Sequence, residues 1–123
     1  PERFRALGSR GARAVARPSA FTLPTGTEHL EPLVRARAIE NQCVVLAPNQ
    51  VGPHPHGLVS LGRSLIVDAW GTVLASCGST GEGVACALLD PEATDAVRRR
   101  VPALTHARRD VLGDAAPRLP SAP

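Results

Sequence analysis

A helix-type pattern that runs directly into an unbroken apolar segment constrains the fold of this chain more than any other feature. Residues 43–47 read Cys-Val-Val-Leu-Ala, and such a β-branched apolar run is typical of a strand covered on both faces. The preceding residues, up to Gln42, are spaced as a helix with one apolar face. That face consists of Leu30, Leu33, Val34 and Ala38, with Arg37 and Asn41 on the same stripe. A helix that leads into a buried strand predicts the α/β class.

The rest of the chain adds further helices and strands. Helices are predicted over residues 2–12 and 91–100, and strands over residues 13–17, 64–68, 72–76 and 84–89. The strands within 64–76 flank a turn and are expected to form a hairpin. Asp90 is placed to cap the last helix, with Pro91 at its first position. Residues 48–57 are predicted as a loop, and residues 113–123, which are rich in Pro and Ala, as a disordered tail.

Two sites conflict with this simple pattern. Thr25 and Glu28 have the spacing of a capping box at the start of the central helix, whereas Pro32 lacks an N–H and is tolerated only in a first turn. We therefore expect an irregular first turn there. Arg17 falls within the first predicted strand, where a buried unpaired guanidinium is costly. Either Arg17 reaches a carboxylate or that strand is frayed.

The composition excludes several classes of function. All 14 basic residues are Arg, so no lysine chemistry is available within the chain, and the excess over 11 acidic residues gives a net charge of +3. Nucleic-acid binding is not expected, because aromatic residues are nearly absent and the arginines form no sustained basic stripe. The three cysteines lack metal-ligand spacing, and their odd number without a signal peptide predicts a reducing, cytoplasmic location. No apolar run approaches the roughly 18 residues of a membrane span.

Two local features invite a chemical interpretation that the residues support weakly. Cys43 could act as a nucleophile, but it opens an apolar strand with no local base or positive charge, so a buried packing role is expected. His54 and His56 could begin a metal site, but no further ligands cluster with them in the sequence, and a surface loop without a metal is expected.

Residues 18–50 carry a longer signature, from Pro-Ser-Ala-Phe-Thr-Leu-Pro-Thr-Gly to Glu-Asn-Gln-Cys and beyond. This segment resembles the second half of a carbon–nitrogen hydrolase of the nitrilase superfamily. Three further motifs occur in the family's order: the opening Pro-Glu-Arg-Phe, Ser-Leu-Ile-Val-Asp-Ala-Trp-Gly at 64–71, and Val-Pro-Ala-Leu-Thr-His-Ala-Arg-Arg-Asp at 101–110. The nearest branch is the deaminated-glutathione amidase type, with omega-amidases close behind. The resemblance implies that residues 1–112 form the C-terminal half of a four-layer αββα sandwich.

The resemblance also implies where a site would lie. Its substrate-pocket wall would consist of Ser19, Ala20, Phe21, Thr25 and His29. A structural polar network would consist of Arg37, Glu40 and Asn41. Two positions depart from the family's pattern, because Leu30 stands where a Trp is usual and Arg63 where a His is usual.

The family hydrolyses small carboxylic amides or nitriles through a Glu-Lys-Cys site and a Cys thioester, without a cofactor. All three of those residues lie upstream of the resembling segment, so no catalytic residue is assigned within this chain, and alone it is predicted to be inactive. A homo-oligomer that acts on a small amide is implied for the intact enzyme. The alternative is a non-catalytic remnant or scaffold that only associates with other subunits.

Overall fold

The computed structural model describes residues 1–108 and contains three α-helices and six short strands in that range. The helices are α1 (Glu2–Ser9), α2 (Leu23–Asn41) and α3 (Pro91–Arg100). The strands are β1 (Ala14–Ala16), β2 (Val44–Ala47), β3 (Val51–Pro53), β4 (Val59–Leu61), β5 (Leu65–Val67) and β6 (Val73–Ser76). Short 3-10 turns occupy Pro55–Gly57 and Ala103–His106. The tail predicted over residues 113–123 lies outside the described residues.

The main sheet has four strands in the order β1-β2-β5-β6, and α2 packs on one of its faces. β1 and β2 are parallel, whereas the β2–β5 and β5–β6 pairs are antiparallel. The register aligns Val15 with Val45 and Val45 with Val67, so three buried valines form one row across the sheet. The α/β class and the 64–76 hairpin are therefore confirmed.

The apolar stripe of α2 is confirmed at three of its four predicted positions. Leu30, Val34 and Ala38 are buried in the cluster that also contains the row of valines. Leu33 was predicted wrongly, since its side chain is 38% exposed. Successive helix positions are separated by about 100°, which places Leu33 too far around the helix from Leu30 and Val34 to share their contact with the sheet.

The start of α2 differs from the prediction. The helix begins at Leu23 with Thr22 as its N-cap, so the capping box at Thr25 and Glu28 was wrong. The hydroxyls of Thr22 and Thr25 are 2.8 Å apart, and the Gly26 N–H donates to the Thr22 carbonyl at 2.7 Å. Pro32 lies inside a continuous helix. Because Pro32 and Glu28 are both exposed, the carbonyl four residues before Pro32 can be solvated, which limits the cost of the missing N–H.

A second hairpin occupies part of the region predicted as a loop. β3 and β4 pair in antiparallel fashion, with Val51 opposite Leu61 and Gly52 opposite Ser60. The Pro and Gly content of residues 48–57 hid this hairpin, since both residue types argue against strands. Leu61 is buried in the main core, so the hairpin is held by a tertiary contact that the local sequence does not reveal.

Residues 84–89 do not form the predicted strand. They are extended but unpaired within the described chain, and Val84 and Leu88 are 90% and 93% exposed. The segment has strand-forming residues, but a strand is stable only where a neighbouring strand satisfies its backbone groups.

Arg17 follows neither of the two predicted alternatives. Its strand is not frayed, because the Arg17 N–H donates to the Leu46 carbonyl at 2.8 Å. Its guanidinium lies over the Phe21 ring, 5.0 Å from the ring centroid, instead of against a carboxylate. One guanidinium nitrogen, Nη1, is buried without a hydrogen-bond acceptor among residues 1–108.

The start of α3 is as predicted from its sequence. The Asp90 carboxylate accepts from the Glu92 N–H at 2.8 Å, and Pro91 is the first helical residue. The helix is tied to the end of α2 by Arg98, whose guanidinium donates to the carbonyls of Gln42 at 3.0 Å and Ala12 at 2.9 Å.

Candidate functional site

Four connecting segments meet at one end of the main sheet. They follow β1, β2 and β6 and precede β5, and the parallel and antiparallel pairings bring their ends to the same edge. Ligand sites in α/β proteins form preferentially in crevices at the carboxyl ends of strands. This end of the sheet holds residues 19–21 of the predicted pocket wall, so we refer to it as the site end.

Asn49 joins three of these segments through its side chain. Its Oδ1 accepts hydrogen bonds from the Ser19 hydroxyl at 3.0 Å and from the Phe21 N–H at 2.9 Å. Its Nδ2 donates to the Gly62 carbonyl at 2.6 Å. The residue is only 8% exposed, and a buried amide with both ends satisfied rigidifies what it contacts. Asn49 was not singled out from the sequence, and only its place directly after a buried strand could have indicated it.

Backbone hydrogen bonds complete the fixation of residues 19–21. The Ser19 N–H donates to the Pro48 carbonyl at 2.9 Å, and the Gln50 N–H donates to the Ser19 carbonyl at 3.0 Å. The Leu61 N–H donates to the Phe21 carbonyl at 2.9 Å. The segment is therefore held from both sides, while the Ala20 side chain between them stays exposed.

The first turns of α2 pack directly against this segment. A Cβ atom built on Gly26 would lie 3.0 Å from the Phe21 Cβ and 2.8 Å from the Leu61 Cδ2, so only glycine permits this approach. Thr25 and His29 lie beside Gly26 on the same helix, and both are exposed. The structure thus places the predicted wall residues on two contiguous segments.

An open cleft of about 470 Å³ lies at the site end. Its lining includes Asn49, Gln50, Arg63, Ser64, Cys77 and Glu82. Arg63 has a left-handed backbone, with φ of 56°, and its N–H donates to the Gly78 carbonyl at 3.0 Å. Its guanidinium is 3.5 Å from the Glu31 carboxylate, a long contact for an exposed ion pair. The cleft is mostly polar at its rim and offers more than one charged group to a ligand.

Arg37, Glu40 and Asn41 contact one another at the opposite end of α2. Arg37 and Glu40 form an ion pair, and the Asn41 Nδ2 donates to the Arg37 carbonyl at 2.9 Å and to the Glu40 carboxylate at 3.3 Å. Asn41 is fully buried and lies against Gly8 of α1. These contacts join α1 to α2 and lie away from the cleft.

Cys43 is fully buried, as the sequence predicted. Burial raises the pKa of its thiol, and the nearby Arg98 guanidinium opposes that shift only in part. Because the thiolate is the nucleophilic form, this environment disfavours reaction at Cys43. Cys77 is half-buried at the cleft and Cys86 is exposed.

His54 serves the β3–β4 hairpin instead of a metal. Its Nε2 is 2.7 Å from the Ser60 hydroxyl. Within residues 1–108 no three His, Cys, Asp or Glu side chains converge closely enough to hold a metal ion. No helix in that range is long and apolar enough to cross a bilayer.

Comparison with known proteins relates this architecture to one family. The Carbon-nitrogen hydrolase family matches residues 1–99. Human deaminated glutathione amidase is 45% identical over 114 residues, which are 93% of this chain and 35% of that protein. The crystal structure of the Caenorhabditis elegans NitFhit protein superposes on 98% of this chain and 30% of its own, with a TM-score of 0.80 and 40% identity.

A more distant structure gives the same result. The carbon–nitrogen hydrolase from Helicobacter pylori covers 93% of this chain and 44% of its own, with a TM-score of 0.81 and 28% identity. The chain spans about a third of the length of the curated relatives it matches. The signature at residues 18–50, the α/β architecture and these matches agree, and this chain belongs to the carbon–nitrogen hydrolase family of the nitrilase superfamily.

Proposed function

We propose that this chain supplies the pocket wall and part of the sheet core of an amidase that hydrolyses a small carboxylic amide. The nucleophile, the base and the oxyanion-stabilising lysine come from polypeptide outside residues 1–123. The observation that carries this division of roles is the complete absence of lysine from the sequence, together with the burial of Cys43. The activity itself is carried over from relatives named deaminated glutathione amidase.

The proposed reaction is acyl transfer to a cysteine. A thiolate adds to the amide carbon, and the tetrahedral intermediate collapses to a thioester as the nitrogen takes up a proton and leaves as ammonia. Water then adds to the thioester carbon, and collapse of that second intermediate releases the carboxylic acid and restores the thiol. A solved amidase from Nesterenkonia, 27% identical to this chain, carries an acetamide moiety added covalently to its active-site cysteine.

Within this chain, residues 19–21 have the clearest role in such a reaction. Asn49 fixes Ser19 and Phe21 through direct hydrogen bonds, so the wall needs no rearrangement when a substrate binds. A fixed wall orients the acyl part of a substrate, and correct orientation lowers the barrier for the attacking group. Thr25 and His29 extend the wall along the first turns of α2. Cytoplasmic location and homo-oligomeric assembly are part of this proposal.

The non-catalytic alternative has one structural observation in its favour. The buried Nη1 of Arg17 lacks an acceptor beside the proposed wall, as expected if selection for a working pocket had been lost. The following experiment distinguishes the two functions.

The test measures ammonia release from small ω-amides by the protein translated from the full reading frame that includes these residues. We expect turnover in that protein and none in residues 1–123 alone. Asn49→Ala should lower kcat/KM at least tenfold, because the wall loses its support. Asn41→Ala, a buried asparagine at the opposite end of α2, is the matched control and should alter stability without a comparable loss of kcat/KM. Turnover by residues 1–123 alone would contradict the proposal, as would equal effects of the two variants.

A further inference from the structure

An extended segment between β6 and α3 presents an uncovered apolar surface. In residues 84–89 the side chains alternate: Ala85 and Ala87 are half-buried, whereas Val84, Cys86 and Leu88 point into solvent. This period of two is the geometry of a β-strand with one face on the body of the protein. Two large apolar side chains that are at least 90% exposed, four residues apart on one short segment, are unusual for a surface that meets only water.

The backbone of the same segment is also unpaired. No hydrogen bond within residues 1–108 involves a backbone group of residues 84–89, although the segment is already extended. Free N–H and C=O groups on an extended chain are a template for pairing with another strand.

The residue types suit the interior of a sheet. Residues 83–89 read Gly-Val-Ala-Cys-Ala-Leu-Leu and contain no charge and no proline. Strands that remain at an edge are normally protected by charged residues, proline or a bulge. The absence of all three from the segment indicates that a covering strand belongs to its working state.

The size of the relatives identifies what covers the segment. This chain spans 35% of the human relative and 44% of the Helicobacter structure, so more than half of each domain-containing chain lies outside the match. A second copy of this chain is a poorer occupant, because edge-to-edge pairing of two copies would leave Val84 and Leu88 facing water.

We propose that residues 84–89 are a docking strand for the part of the carbon–nitrogen hydrolase domain that lies outside residues 1–123. An edge strand of that part pairs with the backbone of residues 84–89. Apolar side chains from the same part cover Val84, Cys86 and Leu88. This inference rests on exposure and backbone pairing and is independent of the proposed amidase activity.

The experiment uses Cys86 as a reporter of docking. Residues 1–123 carrying Cys77→Ser are co-expressed with the stretch of human deaminated glutathione amidase that precedes the match. We expect co-purification as a 1:1 complex by light scattering and alkylation of Cys86 at least tenfold slower than in the chain alone. Leu88→Asp should abolish the complex. Leu58→Asp, at another exposed leucine, should leave it intact.

Because Leu88 is almost fully exposed, Leu88→Asp should keep the circular dichroism of the parent chain, and Val84→Lys provides a second variant at an equally exposed position. The proposal is overturned if no complex forms, if Cys86 stays reactive within it, or if Leu58→Asp disrupts it equally. It is also overturned if Cys86 becomes protected in a dimer of this chain alone, since the occupant would then be a second copy.

Discussion

The Asn49 side chain accepts a hydrogen bond from the Ser19 hydroxyl at 3.0 Å and thereby links the ends of two parallel strands, β1 and β2. The same oxygen also accepts from the Phe21 N–H, and the same amide donates to the Gly62 carbonyl. One buried side chain thus sets the relative positions of three segments that no regular secondary structure joins. The stability of the site end depends on it.

Asn49→Ala should lower the free energy of unfolding by about 2–4 kcal/mol. The variant loses three hydrogen bonds and leaves the Phe21 N–H and the Gly62 carbonyl without their partner, and unsatisfied buried groups cost about 1–3 kcal/mol each. Urea denaturation of the variant and the parent measures the difference. Asn49→Asp keeps the acceptor and should retain the Ser19 contact while losing the Gly62 contact, so its loss should be of the same sign. A loss below about 0.5 kcal/mol for Asn49→Ala would contradict the role assigned to this residue.

Gly26→Ala should destabilise the chain although alanine is the better helix former. The added methyl group would lie 2.8 Å from the Leu61 Cδ2 and 3.0 Å from the Phe21 Cβ. Overpacking costs about 1–3 kcal/mol, whereas the gain in helix propensity is about 1 kcal/mol. Thermal unfolding measures the balance, and Thr27→Ala, exposed on the next position, is the control and should change stability little. A higher melting temperature for Gly26→Ala would show that α2 can move away from the β3–β4 hairpin.

Arg17→Leu should raise the stability of residues 1–123 by about 1 kcal/mol. The substitution removes a buried guanidinium nitrogen that has no acceptor among the described residues and keeps an apolar contact with Phe21. Denaturant titration measures the change. Arg10→Leu, at an exposed position, should be nearly neutral. A loss of more than 1 kcal/mol on Arg17→Leu would mean that the interaction between the guanidinium and the ring outweighs the buried nitrogen.

Stability should fall at alkaline pH because of Cys43. Burial raises the folded-state pKa of this thiol, with Arg98 partly opposing, above the ordinary value of about 8.5. A raised folded pKa contributes stability that is fully present below the unfolded pKa and is lost as the pH rises through the folded pKa. In a Cys77→Ser, Cys86→Ser background, the free energy of unfolding should therefore decline above about pH 8.5. The decline should be smaller in Cys43→Ala, and identical pH profiles would contradict the assignment.

The sequence determined the local elements because their causes are local. The spacing of Leu30, Val34 and Ala38 specifies the buried face of α2, and the run at 43–47 specifies a buried strand. Asp90 and Pro91 define the start of α3 through a cap that needs only the neighbouring N–H groups. The family signature is likewise a property of the linear sequence.

Only the tertiary structure decided how distant residues meet. Asn49 became the centre of the site end because parallel pairing of β1 with β2 brings it beside Ser19, a relation between residues thirty positions apart. The early start of α2 at Leu23 depends on the close approach of Gly26 to Leu61 in a hairpin that the sequence did not indicate. Residues 84–89 have the composition of a strand but remain unpaired, because strand formation requires a partner and side-chain pattern supplies only half of that pair.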